Sequence, residues 1–447
     1  MAVNQLEDIL SWVEKLNQTV HVSIRKNTLE DSHFWFYDEK TGEITNQNHS
    51  FFQIKGIQCV NDGIVVTEQP IIIQDEIGYL GMICHEFDGV MHFLIQAKIE
   101  PGNINKIQLS PTIQATKSNF MQRHGGKRPA YLEYFMSASR YKIIVDQLQS
   151  EQSSRFYKKR NRNIIIEVKE EVPLYSNYKW VTLGQLKALM RWNNLVNMDT
   201  RTVISCLPLV YMNDESLNSF LPVEELTDEA LFRSIRNEKK ICDSIPCLYH
   251  YINNCKMFGN IEQKLVPLYS LKRWHMQNGE FVCEDPYSFK MIFCDIEIEG
   301  REVQHWTQPL FEATGVATFV LFTCVDNGIR KFLVKAKEEI GCFDQIELGP
   351  TIQREYGSFK DENVIEQIYN IHLTNKMGVC FDGLLSEEGG RFYCEQNRNL
   401  IIEIDKSEIH ELPKGYFWLD YYILNSLMSV NNTLNIQLRN LLAILNW

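Results

Sequence analysis

No apolar run in this sequence approaches the roughly 18 residues needed to span a bilayer as a helix. Basic residues are also short: 45 Lys and Arg face 57 Asp and Glu, a net charge of −12. No global positive field is therefore available to draw in nucleic acid or an anionic membrane, and any phosphate contact must come from local lysines and arginines. The twelve cysteines form no C-x-x-C pair and no Cys/His spacing typical of zinc, so they read as mostly buried thiols in a reducing cytoplasm. Met1 to Leu16 alternates acidic and apolar residues at helical spacing and lacks the basic start of a secretory signal. The Walker phosphate loop, G-x-G-x-x-G, G-x-S-x-G and H-E-x-x-H are all missing, which removes their nucleotide, hydrolase and metalloprotease chemistries.

What the chain does have is length and self-similarity. Its 447 residues, 44% of them hydrophobic, suffice for two or three domains with ample cores. Leu109-Ser110-Pro111-Thr112-Ile113-Gln114 returns as Leu348-Gly349-Pro350-Thr351-Ile352-Gln353, and Pro111 to Pro350 is 350 − 111 = 239 residues. The same interval joins Gln69-Pro70 to Gln308-Pro309, Lys98 to Lys337, and Trp35 to Trp274. Asp88-Gly89 and Asn327-Gly328, at this offset, sit between alternating apolar runs and predict tight hairpin turns. Later the offset becomes 236, where Arg155-Phe156-Tyr157 matches Arg391-Phe392-Tyr393, and then 238, where Trp180 matches Trp418.

The pattern predicts an α+β fold in duplicate with a pseudo-twofold arrangement. An N-terminal helix or arm would occupy 1–32, a first repeat 33–207, a connecting arm without a partner 208–265, and a second repeat 266–447. A middle helix is predicted from about Tyr131 to Gln149 in the first repeat and from about Glu362 to Asn370 in the second. Thr182 is a plausible N-cap for the helix after it.

Polar residues crowd the first copy of the repeated loop. Gln96 and Lys98 alternate onto one strand face, with Phe93 and Ile95 on the other. Glu100, Ser110, Thr112, Gln114, Thr116 and Asn119 come next, then Arg123, His124 and Lys127. His124 is the only imidazole in this region, and the second copy has none at that place, so it is the first candidate for proton transfer. Lys98, or Glu100 through a water, is the runner-up. Arg160 and Arg162 read equally as phosphate ligands or as structural ion pairs, because Arg398 stands in the place of Arg162.

Gly78-Tyr79-Leu80-Gly81, Phe93-Leu94-Ile95-Gln96-Ala97-Lys98, Glu100-Pro101-Gly102-Asn103 and Gln108 to Thr116 together resemble the NDP-hexose 2,3-dehydratase family. Ser118-Asn119-Phe120, His124-Gly125 and Tyr131-Leu132-Glu133-Tyr134-Phe135 extend the resemblance, which covers nearly the whole chain. It implies a tandem pair of Nudix-like mixed-sheet α/β/α sandwiches without the Nudix catalytic box. Glu338-Glu339-Ile340-Gly341 does end like that box, but Val334 and Lys335 stand where it needs arginine and glutamate. The resemblance further implies a homodimer that uses no cofactor or metal, and the scattered thiols suit a cytoplasmic location. The homodimer would act on a dTDP-linked 4-keto-6-deoxyhexose and pass its product to a 3-ketoreductase.

On that reading the enzyme is a carbon–oxygen lyase. A ketone at carbon 4 acidifies the hydrogen on carbon 3, and loss of the carbon 2 hydroxyl leads to a 3,4-diketo-2,6-dideoxy sugar. Gln96, Ser110, Thr112 and Gln114 would orient hydroxyls or hold the enolate, as would Thr116 and Asn119. Arg123, Lys127, Arg160 and Arg162 would hold the diphosphate, and Trp35 or Tyr131 would stack on the base. The alternative is a non-catalytic nucleotide-sugar sensor.

Overall fold

A computed structural model describes residues 2–120, 128–222, 227–238, 241–301, 303–358 and 363–445. Two seven-stranded sheets, one per repeat, share a single topology. In the first, Lys142–Ser150 lies beside Arg160–Glu167, then come Tyr79–Phe87, Val90–Ile99 and Tyr178–Thr182. Arg160–Glu167 runs parallel to Tyr79–Phe87, while the other pairs in this order are antiparallel. The second repeat has the same parallel pair, Thr318–Asp326 with Gln396–Glu403. The fold is thus mixed α and β with several sheets, as the alternating patterns predict.

Both expected hairpins form. Asp88 and Gly89 take φ of 49° and 78°, Asn327 and Gly328 take 53° and 75°, and the strands pair on either side of them. Thr182 caps its helix, Leu183–Met190, by accepting from Gln185 N while the Gln185 side chain returns the bond.

The middle helix of the first repeat is a correction. Only Leu132–Met136 is α-helical, and Lys142–Ser150 is a strand paired antiparallel with Arg160–Glu167. Ile143-Ile144-Val145 is a run of β-branched residues, which a pleated surface accommodates better than a helix. Pairing along the outer edge of Arg160–Glu167 then decides the outcome. The second repeat does carry a longer helix here, Val364–Asn375, capped by Asn363.

The equivalence also begins earlier than residue 33. Helix Leu6–Thr19 is matched by Ile241–Phe258, and strand Val22–Asn27 by Ile261–Val266, with Val22 and Ile261 again 261 − 22 = 239 apart. The end of the expected connecting arm therefore has a partner after all. Moreover, these first strands are exchanged. Val22–Asn27 adds to the second repeat by pairing with Phe289–Ile298, and Ile261–Val266 adds to the first by pairing with Gln53–Asn61.

Between the large sheets lie the helices Leu183–Met190, Met198–Ser205, Tyr421–Met428 and Ile436–Ala443, in one hydrophobic core shared by both repeats. Two buried arginines cross this seam. Arg201 donates to Val196 O and, across the seam, to Ser386 O, each at 2.7 Å. Arg439 does the same with Leu434 O at 2.6 Å and Ser150 O at 2.5 Å. Burying a guanidinium is costly unless its donors find acceptors. Here both terminal nitrogens of each arginine do, while Arg201 Nε has no partner among the described residues.

Two glycine loops cross as well. Gly102 donates to Gly389 O at 2.7 Å and accepts from Cys394 N at 2.9 Å, while Gly341 accepts from Lys158 N at 2.7 Å. A Cβ on Gly102 would overlap the Phe392 carbonyl oxygen. Gly102→Ala is therefore expected to cost about 3 kcal/mol or more in urea unfolding, because backbone on both sides must shift. Gly89→Ala, in an open turn with nothing near its Cβ position, is expected to cost only about 1–2 kcal/mol, for its positive φ alone.

Candidate active site

The Gly102 crossing brings Glu100 of the first repeat against the arch Ser386 to Arg391 of the second, and a cavity of about 470 Å³ opens there. Its floor comes from the first repeat. Lys98 Nζ lies 3.2 Å from Glu100 Oε1 and donates to Gln114 O at 3.2 Å. Gln114 donates to Glu100 Oε2 at 3.2 Å, and Asn197 donates to Gln114 Oε1 at 3.2 Å. Alternation along Val90–Ile99 produces this arrangement: Phe93, Ile95 and Ala97 enter the shared core and Lys98 faces the other way.

The second repeat closes the cavity with Arg391, Glu388, Gln308 and Trp306. Gln308 donates to Gly390 O at 2.7 Å and accepts from Trp306 Nε1 at 2.8 Å, which fixes the arch. Arg391 lies 4.2 Å over the Phe52 ring and reaches Gln74 Oε1 at 3.4 Å. Its buried Nε has no hydrogen-bond partner among the described residues. Phe34, Trp35 and Phe51 make the apolar wall. Trp35 is only 2% exposed and is held by its Nε1 donating to Thr307 O at 2.7 Å.

Charge is concentrated in this space. Burial disfavours ionised Glu100, yet Lys98 and Arg301 prevail and hold its pKa down to about 2. Burial raises Glu388 to about 8, and the neighbouring Glu100 charge adds to the rise. Burial also lowers Lys159 to about 8, against the pull of Glu151. Asp199 is raised well above the carboxylate range by burial first and then by Glu151, Glu388 and Glu100. Two carboxyls and an amine thus sit in unusual protonation states around one cavity, a common mark of an active site.

Of the residues singled out from sequence, Lys98, Glu100, Gln114, Thr116, Asn119 and Trp35 line the cavity. Arg123, His124 and Lys127 lie outside the described residues. The others are not among the lining residues. Gln96 shares the Lys98 face but pairs across from Tyr178. Ser110 accepts from Asn197 Nδ2 at 2.9 Å. Thr112 bridges strands, accepting from Ile83 N at 2.9 Å and donating to Leu94 O. Tyr131 is buried and donates to Pro173 O at 2.6 Å. Arg160 lies 4.0 Å over the Phe343 ring. Arg162 forks onto Asp146 at 2.6 and 2.5 Å, just as Arg398 forks onto Asp382 at 2.8 and 2.6 Å. Both copies thus use this arginine in the structural ion pair that was one of its two readings.

Sequence reasoning missed Glu388, Arg391, Arg301, Trp306, Lys159 and Asp199. It sought the site within one copy, whereas four of these six come from the other. The alignment of Arg155 with Arg391 held the signal.

The pseudo-equivalent place in the second repeat keeps the same quartet. Lys337 lies 3.4 Å from Glu339, Gln353 donates to Glu339 at 2.5 Å, and Asn435 donates to Gln353 at 2.7 Å. Its surroundings are bulkier, however. Glu355, in the position of Thr116, pairs with buried Arg155 at 3.1 Å, and Arg155 lies 4.0 Å over Phe289. Tyr287, in the position of Asn48, donates to Gln69 at 2.8 Å.

A family model described as NDP-hexose 2,3-dehydratase matches residues 6–207 and 246–445. The chain is 38% identical to a dTDP-4-dehydro-6-deoxy-alpha-D-glucopyranose 2,3-dehydratase of Saccharopolyspora spinosa, over 92% of this chain and 85% of that protein. Proteins described in the same words from Amycolatopsis orientalis and Streptomyces violaceoruber are 32% and 34% identical. They cover 98% and 99% of this chain and 90% and 97% of their own lengths.

Removing one partner of a buried pair leaves a charge stranded, whereas an exposed pair contributes little. Glu355→Ala is therefore expected to lower stability by about 2–4 kcal/mol, and Arg162→Ala by about 1 kcal/mol or less, both read by urea denaturation.

Proposed function

This chain belongs to the NDP-hexose 2,3-dehydratase family, and on that premise we propose that it removes water across carbons 2 and 3 of a dTDP-linked 4-keto-6-deoxyhexose. The observation that carries the reading is the inter-repeat cavity, which joins an aromatic wall, arginines and carboxyls of opposite protonation state.

The elimination needs an acidified C–H, a base, a proton donor for the leaving hydroxyl and positive charge near the enolate. The 4-ketone supplies the first. His124 is the first candidate for taking the carbon 3 proton, with Lys98 or Glu100 as runners-up. The ammonium of Lys159 suits the enolate oxygen, as does that of Lys98 where His124 or Glu100 is the base. Gln114, Thr116 and Asn119 suit the sugar hydroxyls, Arg391 and Arg301 the diphosphate, and Trp35 and Trp306 the base. As the carbon 3 proton leaves, its electron pair passes to the carbon 4 oxygen as an enolate. The ketone then re-forms while the C2=C3 bond forms and the carbon 2 oxygen departs as water. The enol then gains a proton at carbon 2 and loses one from oxygen to give the 3,4-diketone. Such a product is reactive, so a 3-ketoreductase is its natural consumer.

Sheets with helices on both faces support a Nudix-like reading of each repeat. We further infer a homodimer, in keeping with the family resemblance, and a cytoplasmic location, in keeping with the scattered thiols.

Full-length protein incubated with dTDP-4-keto-6-deoxyglucose is expected to yield a product lighter by one water. In D2O that product carries one solvent deuteron at carbon 2. His124→Asn is expected to lose at least about 100-fold in turnover, and near-normal turnover of this variant would remove His124 from its role. Tight binding of an unchanged ligand by the wild-type protein would reject the dehydratase reading.

A further inference from the structure

The arch from Ser386 to Arg391 differs from its counterpart, Ser150 to Arg155, at three successive positions. Glu388, Gly389 and Gly390 stand where the first repeat has Gln152, Ser153 and Ser154. Each change bears on the cavity. A Cβ on Gly389 would run into Asn103 Oδ1 and crowd Glu100 Cβ at 3.1 Å, and one on Gly390 would strike Glu388 Oε1. The two glycines therefore let the arch lie close on the Glu100 loop and leave room for the Glu388 carboxyl. That carboxyl lines the cavity, accepts from Gly390 N at 2.8 Å and hydrogen-bonds with Glu100. At the equivalent place in the other repeat the corresponding residue is Gln152, which cannot ionise.

We propose that Glu388, contributed by the second repeat, is the general acid of the dehydration, sharing one proton with Glu100 and delivering it to the departing carbon 2 hydroxyl. This assignment rests on the dehydratase reading. Two hydrogen-bonded carboxyls do not both ionise readily, so one of them retains a proton. Lys98 and Arg301 favour charge on Glu100, which leaves the proton on Glu388. The other charged groups acting on Glu388 are Arg391, Glu151, Lys159 and Asp199. In the reaction the C2–O bond breaks with its electron pair going to oxygen. That oxygen takes the Glu388 proton and leaves as water. Glu388 is reprotonated by the enol's hydroxyl proton. Carbon 2 takes its proton from the base that removed the one on carbon 3, after that base has exchanged with solvent, so both groups return to their starting states.

The test compares wild type with Glu388→Gln, full length, on dTDP-4-keto-6-deoxyglucose in H2O and D2O. Dehydration by Glu388→Gln is expected to fall at least about 100-fold, while the recovered substrate still gains deuterium at carbon 3, because proton removal belongs to a different group. Wild-type turnover is expected to decline as pH rises through about 8, where Glu388 loses its proton. The residual activity of Glu388→Gln should lack that decline, and Glu388→Asp should restore part of the rate. The assignment is overturned if Glu388→Gln turns over within about threefold of wild type with the same pH profile. It is overturned equally if Glu388→Gln binds dTDP normally but neither exchanges carbon 3 nor loses water, which would make Glu388 the base. A wild-type protein that releases no water would reject the dehydratase reading and the assignment with it. A wild type that dehydrates beside an unimpaired Glu388→Gln rejects the assignment alone.

Discussion

Arg201 and Arg439 lie in the middle of the shared core, each bonded to a carbonyl of its own repeat and to one across the seam. Hydrogen-bond energy falls steeply with misalignment, so a buried guanidinium held at both ends leaves the seam little freedom to slide. The distant acceptors are Ser386 and Ser150, the first residues of the two arches. Anchoring those carbonyls also anchors the rest of each arch, Glu387 to Arg391 on one side and Glu151 to Arg155 on the other. The position of Glu388 against Glu100 is thus a short-range consequence of a structural arginine.

The duplication created two such junctions, and their inner quartets remain the same in kind: lysine, glutamate, glutamine and asparagine. Their surroundings separate them. Around Glu100 the chain places small or polar groups, Asn48 and Thr116, and leaves a cavity. Around Glu339 it places Tyr287 and Glu355, and Glu355 neutralises Arg155. The two repeats are therefore specialised differently: the second places bulky Tyr287 and Glu355 at its own junction, while its arch carries the acid and two glycines that shape the other.

Much of the fold was legible because it depends on local patterns. Asp88-Gly89 and Asn327-Gly328 specify turns through backbone conformation alone, and Thr182 marks a helix start by a hydrogen bond within its own first turn. Lys98, Glu100 and Gln114 were legible through alternation along one strand and its neighbouring loop. Lys142 to Ser150 was not, since a neighbouring sheet edge decided its conformation. Nor were Glu388 and Arg391, whose role arises from a crossing between residues almost 300 positions apart (388 − 100 = 288). The exchanged strands were hidden for the same reason, as Val22–Asn27 has no local feature that names Phe289–Ile298 as its partner.

That exchange has a consequence for how the chain is made. Strand Val22–Asn27 leaves the ribosome well before its partner exists, with 289 − 22 = 267 residues still to be synthesised before Phe289 appears. At roughly 5–20 residues per second this is a wait on the order of ten to fifty seconds. During it the first repeat lacks its own borrowed strand, Ile261–Val266, and the helices of the common core face no second sheet. Until Phe289–Ile298 is made, strand Val22–Asn27 therefore stands with an unpaired edge, the kind of surface through which half-made chains associate wrongly.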